Sequence, residues 1–331
     1  MKIVVFALEL ILAIALSACN NKTIIQDFPT KTVNGSSSPL PPERKSTETA
    51  ATSTPNTIVA PTLTDKHILL FHSDRTGSYQ IYTSDTSGNN VKQLTNSPGR
   101  NIEPAMSPDG SMIAFSSSRD DQNGLYLFLM KGDGSAQHVL ITKPGYALSP
   151  KWSPDGKRLI FYTNWDEHFQ IYTVDVATGK YERFITSSDI DYLPSWSPDG
   201  KRIAYTSRRG TSEQIHIINS DKTGDVTISV GTEWAWRPNW SPDGTQIVYF
   251  KWTSNNGDLF LYDTRTKATV QLTSTSTIPE QNPSWSTDGS KIYFDAKLLP
   301  DQIDLFRMNP DGTGIEQLTH NVKNNGYPSE H

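Results

Sequence analysis

The 331-residue chain has one cysteine, so neither an intramolecular disulfide nor a zinc site built on cysteines is open to it. It has no basic excess either. Its 30 Lys and Arg stand against 35 Asp and Glu, a formal net charge of −5, and nucleic acid is not expected as a partner without clustered cations to meet phosphates. Long apolar runs are missing beyond the first 18 residues, which excludes a polytopic membrane protein, and there is no collagen or coiled-coil period. The seven histidines (His67, His72, His138, His168, His216, His320 and His331) form neither His-Glu-x-x-His nor His-x-His, and no Gly-x-Ser-x-Gly elbow is present. The adjacent acids Asp120 and Asp121 lack the oxygen count of a calcium loop. No metal, cofactor or catalytic constellation is therefore expected. What is plentiful is turn and strand chemistry: 21 Gly, 21 Pro and 10% aromatics favour one large all-β domain over two average ones.

The position of the single cysteine gives it a role. Met1 to Ala18 (MKIVVFALELILAIALSA) reads as an export signal, with one Lys, a short apolar run interrupted by Glu9, then small residues. The run is short for a membrane span. Leu16-Ser17-Ala18-Cys19 resembles the lipobox of bacterial lipoproteins. That resemblance implies cleavage before Cys19, a diacylglycerol thioether on its sulfur and an acylated amino group. Each buried methylene contributes about 0.8 kcal/mol, so two or three chains anchor stably where one does not. Asn20 in place of Asp points toward an outer membrane in a cell that has one, and toward the cell surface otherwise. Residues 19–65 are rich in Thr, Ser, Pro and Asn with no apolar period, and read as a disordered tether averaging roughly 35 to 40 Å end to end.

Residues 66–331 are self-similar. Ser-Pro-Asp-Gly recurs at Ser107, Ser153, Ser197 and Ser241 and as Ser-Thr-Asp-Gly at Ser286, so the starts are 46, 44, 44 and 45 residues apart. That is the period of a four-stranded propeller blade. Proline suits the second position of a type I turn and glycine a left-handed residue, so each tetrapeptide predicts a hairpin between a first and a second strand. Six second strands align, from Leu69-Leu-Phe71 to Ile292-Tyr-Phe294, and third strands follow at Ile81-Tyr82 and its counterparts. Outer strands end in threonine at Thr95, Thr142, Thr186, Thr273 and Thr319, and only the fourth blade, with Ile228-Ser-Val230, lacks that ending. The expected fold is all-β, a six-bladed propeller of antiparallel four-stranded blades. Pro104, Pro150, Pro194, Pro238 and Pro283 open first strands, and Pro328-Ser329 repeats the pattern just before the chain stops. The C-terminal residues should thus supply the inner strand of blade one.

Pro194 to Arg209 follows P-x-W-S-P-D-G-K-x-I-A-[FY]-x-S-x-R and resembles the TolB-type propeller repeat, a WD-like repeat of bacterial envelope proteins. The resemblance covers about 80% of the chain and implies the propeller. It constrains function less, because propellers host many activities. Two departures matter: a lipobox and tether stand where TolB carries an α/β domain, and the hydrolase domain of the propeller peptidases has no counterpart.

Four of the eight tryptophans, Trp152, Trp196, Trp240 and Trp285, share one repeat position and should pack between blades. The other four break the pattern. Trp165 and Trp252 are placed in loops joining second to third strands, and Trp234 and Trp236 in a loop entering a first strand, two loop classes that share one propeller face. Asp189, Asp191, Tyr192, Glu233 and Arg237 fall in the same sector. Aromatics with interspersed charge suit a protein or peptide partner. The competing reading is packing, with Trp236 capping its blade's core and Trp165 filling the groove that Arg119 and Arg209 occupy elsewhere. The sequence thus points to a non-enzymatic, monomeric binding module, held on the membrane through Cys19. The alternative is a carbohydrate-binding or carbohydrate-active propeller of lyase or glycosidase type using the same face, which would need carboxylates converging in the channel.

Overall fold

Each Ser-x-Asp-Gly tetrapeptide is a closed hydrogen-bonded unit. In the second blade the Gly110 amide donates to Ser107 O (2.8 Å), and the Asp109 carboxylate accepts from Ser107 Oγ (2.6 Å) and from the Ser111 amide (3.0 Å). The five glycines hold φ between 67 and 73°, a left-handed conformation that side chains rarely adopt. The repeated aspartates are therefore turn caps. Their carboxyls are held below the ordinary range chiefly by the serine hydroxyl, Asp109 and Asp288 to about 2.

The computed structural model describes residues 67–120, 124–229, 231, 234–252, 257–275, 278–299, 302–320 and 323–331. The signal sequence, Cys19, the 19–65 tether and Glu233 lie outside the described residues. Among those residues every regular element is a strand, and the strands form six antiparallel four-stranded sheets. Five sheets run from inner to outer strand in chain order. The sixth, blade one, takes its inner strand from Asn325–Glu330, which pairs with Ile68–Ser73. Ile68 and His331 exchange two backbone hydrogen bonds (3.0 and 2.9 Å) where the other blades have their tetrapeptide turn. The ring closes by mixing the two ends of the repeat region.

The outer-strand threonines also have a defined task. Thr95, Thr273 and Thr319 each accept, through Oγ1, the amide of the third-strand residue opposite, Ile81, Leu259 and Leu305 (2.9 to 3.0 Å). In the fourth blade Ser229 does the same for Ile215 (2.7 Å), so the departure there keeps the hydroxyl and loses only a methyl group.

The core lies between blades, because each sheet buries both faces against its neighbours. Ala105, Leu127 and Leu129 of blade two pack on Trp152, Leu159 and Phe161 of blade three, and the fourth–fifth and fifth–sixth interfaces repeat this with Trp240 and Trp285. The four repeat tryptophans are 5 to 9% exposed, and the Trp152 indole donates to Ala105 O (2.9 Å) across the interface. Truncating one would cost about 3 to 5 kcal/mol.

Candidate functional site

The inner strands carry a shared irregularity. At every X-Pro pair the first strand advances three residues while its partner advances two, as between Tyr192↔Thr206 and Ser195↔Ala204. The same slip occurs in the other five blades. Proline cannot donate to the ladder and disfavours a helical residue before it, so the pair is accommodated as a bulge. The residue ahead of each proline then takes the left-handed conformation: Glu103, Ser149, Leu193, Arg237, Asn282 and Tyr327, with φ from 48 to 60°. None is glycine, and each costs about 1 kcal/mol or more in that region. Their reward is position, since five of the six line a small, open cleft framed by the inner strands.

The polar groups of this ring are interlinked. Glu103 accepts from the Ser149 amide (2.6 Å) and hydroxyl (3.0 Å), and its own amide donates to His72 Nδ1 (3.1 Å). Arg237 lies over the Tyr327 ring at 4.5 Å. Asp295, 3% exposed, accepts from Asn282 Nδ2 (2.7 Å) and the Tyr327 amide (3.0 Å), and burial raises its carboxyl to about 7. Burial lowers His72 to about 3, helped by Arg100 and Arg237.

The residues singled out in the sequence divide among four places. Arg237 belongs to the axial ring. Trp234, Trp236 and Trp252 gather in blade five, but in strands and not in loops as the spacing suggested. Trp234 begins the inner strand Trp234–Trp240, Trp252 ends the second strand Gln246–Trp252, and the two are directly paired. Aromatic cross-strand pairing extends the ladder past the point where the repeat pattern ends. Trp236 stacks on Phe250 (5.2 Å, 6° between planes) and meets Trp234 edge-on at 5.8 Å. Its indole donates to Glu213, a buried carboxylate that also takes the Arg208 guanidinium (Nε, 2.6 Å). Tyr192 joins this group from the neighbouring inner strand, and burial with Glu213 beside it drives its hydroxyl well above the ordinary range.

Asp189 and Asp191 are in blade four. Asp191 is fully buried, accepts from Ser187, and occupies the inner-strand position that Asn101, Glu280 and Asn325 hold in other blades. Burial raises its carboxyl. Asp189 pairs with Arg209 at 3.5 Å. Trp165 stands apart in blade three, edge-on to Phe161 (5.6 Å) and Tyr172 (5.2 Å), where Arg119 in blade two lies over Phe115 and Phe128. Among the described residues no group of three or more His, Cys, Asp or Glu is placed to hold a metal ion.

Lys151, Asn282, Tyr327, Glu103 and Glu213 went unrecognised in the sequence. For the first four a signal existed, the column of inner-strand prolines, whose neighbours face the axis.

Fold and ring together define the class: a WD-like propeller of six four-stranded blades around a bulged inner wall. The chain belongs to the TolB β-propeller family, whose domain model matches residues 125–329, more than half of its length. Among curated relatives, the TolB homologue of Chlorobaculum tepidum is 42% identical over 59 residues, 18% of this chain and 14% of that protein. The homologue of Chlorobium chlorochromatii is 47% identical over 47 residues, 14% of this chain and 11% of that one. The matched segments thus span a seventh or less of these relatives' length. Among solved structures, TolB from Acinetobacter baumannii superimposes with a TM-score of 0.71 at 24% identity, over 79% of this chain and 66% of that one. An oligogalacturonate lyase in complex with manganese gives 0.54 at 19%, over 77% and 74%. At these identities the likeness is one of fold.

Proposed function

We propose that this protein is an exported lipoprotein, anchored through acylated Cys19 and the 19–65 tether, that presents its propeller at the bacterial envelope to bind a protein or peptide partner. The observation that carries the binding reading is the Trp234–Trp252 pair. These residues lie outside the repeat, at the end of blade five away from the tetrapeptide turns, and Trp252 is 39% exposed. Large aromatics left partly in water beside a buried charged network (Glu213, Arg208) are the anchors that protein interfaces use. Membership of an envelope propeller family supports the location.

Two experiments test the two halves. Replacing Trp234 and Trp252 together by alanine should leave a cooperative fold and lower recovery of any envelope protein retained by the full chain at least about tenfold, the loss expected on removing an interface anchor. Equal retention by both proteins would remove this site. Cys19→Ser should move the protein from the membrane to the soluble fraction after lysis, and a variant that stays membrane-bound would refute the lipid anchor.

A further inference from the structure

The axial cleft carries two cations that feel Glu103 at a distance and meet no carboxylate directly among the described residues. Lys151 and Arg237 both line it, and neither has a carboxylate within 4.0 Å among the described residues. The carboxylates in reach are already engaged. Glu103 holds the Ser149 amide and hydroxyl, and Asp295 holds Asn282 Nδ2 and the Tyr327 amide. The Arg237 guanidinium rests over the Tyr327 ring and hydrogen-bonds the Tyr327 side chain, which orients it and occupies part of its five-donor fork. Asn282 Oδ1, also at the cleft, is buried and has no hydrogen-bond partner. Two cations and one vacant acceptor therefore converge on one small, open cleft.

We infer that the axial cleft binds a carboxylate that carries a hydroxyl or N–H donor beside it, the carboxylate lying between Arg237 and Lys151 and the donor meeting Asn282 Oδ1. A guanidinium supplies two parallel donors to a carboxylate and the ammonium a third, which accounts for the pairing of Arg with Lys. Leu193 and the prolines add apolar surface to the wall, and Ser149, Asn239 and Ser284 add further polar groups. Burial pulls the Lys151 ammonium below its ordinary range, with Glu103 opposing and Arg237 adding to the shift, and an entering anion would raise it again. This chemistry is found in free hydroxy acids and in peptide carboxylates alike. The site is separate from the Trp234–Trp252 face and does not depend on the partner proposed for it.

Titration calorimetry of the full chain in detergent decides the matter with defined probes. Lactate and N-acetylglycine should bind with dissociation constants on the order of 1 mM, and N-acetylglycinamide, which lacks the carboxylate, should not. Arg237→Gln and Lys151→Met should each weaken N-acetylglycine at least about tenfold, while the Trp234/Trp252 double variant leaves it unchanged. Should Arg237→Gln fail to fold, Lys151→Met and the charge-preserving Arg237→Lys carry the test. An acidic decapeptide binding more tightly than N-acetylglycine assigns the natural carboxylate to a peptide, and lactate matching or exceeding the peptide assigns it to a small acid. No heat with any carboxylate up to about 10 mM, equal binding of the amide, or unchanged affinity in folded Lys151→Met would overturn the inference.

Discussion

Deleting residues 326–331 is expected to lower the melting temperature by more than about 10 °C or to abolish the cooperative transition. These residues form most of the inner strand of blade one, in register with Leu69, Leu70 and His72. They also bind blade six, where Ser284 Oγ donates to Pro328 O (2.6 Å), and place Tyr327 under Arg237 of blade five. Losing them leaves the second strand of blade one as a free edge and loosens Leu69, Leu70 and Phe71, now fully buried against blades two and six, whose exposure costs about 1.5 to 3 kcal/mol per side chain. It also opens the ring, and in an array whose blades touch only neighbours an open ring leaves two interfaces half-made. A loss near 5 kcal/mol corresponds to at least about 10 °C in a domain of this size. Circular dichroism melts of the full and shortened chains give the answer, and transitions within about 2 °C of each other would refute closure as a stabilising feature.

That closure could be read from the sequence because it is written in turn chemistry. Proline, aspartate and glycine at fixed offsets dictate a hairpin wherever they occur, and Pro328-Ser329 matches the first-strand pattern of Pro194-Ser195 and Pro283-Ser284. The candidate site was legible only in fragments, for a physical reason. Within a repeat, the positions that pack between blades must keep their size and polarity, so they align. The position before each inner-strand proline lies at the bulge around the axial cleft, five of the six lining it, and is free to vary, as Glu, Ser, Leu, Arg, Asn and Tyr show. A column of six different residues has no signature except its place. Arg237 was noticed as a charge near tryptophans, but its partners Lys151, Asn282 and Tyr327 come from blades three, six and one, which only ring closure brings together. The tryptophans erred in the other direction. They stand out in composition and suggest loops, yet pairing across the ladder draws Trp234 and Trp252 into strands.

The polar ring should also give stability an unusual dependence on pH, built from two terms of opposite sign. His72 is 8% exposed, its Nδ1 already accepts the Glu103 amide, and it is packed between Tyr79 and Tyr327 (5.1 Å each) with Arg100 and Arg237 repelling added charge. Its folded value near 3 lies below the unfolded 6.5, so the stability this confers is complete above 6.5 and is lost as pH falls toward 3, about 5 kcal/mol in all. Asp295, at the other side of Gly326, is raised from 3.8 to about 7 by burial. Its contribution is complete below about 4 and is lost as pH rises through 7, about 4 kcal/mol. Between pH 4 and 6.5 the two slopes oppose each other in the native protein. Substitution should separate them. Relative to the native chain, Asp295→Asn should lose about 3 to 4 kcal/mol on acidification from 6.5 to 4, because only the histidine term remains. His72→Gln should gain stability over the same interval. Denaturant unfolding at several pH values reports the differences directly, and variant curves that run parallel to the native one would show that neither buried group is linked to folding.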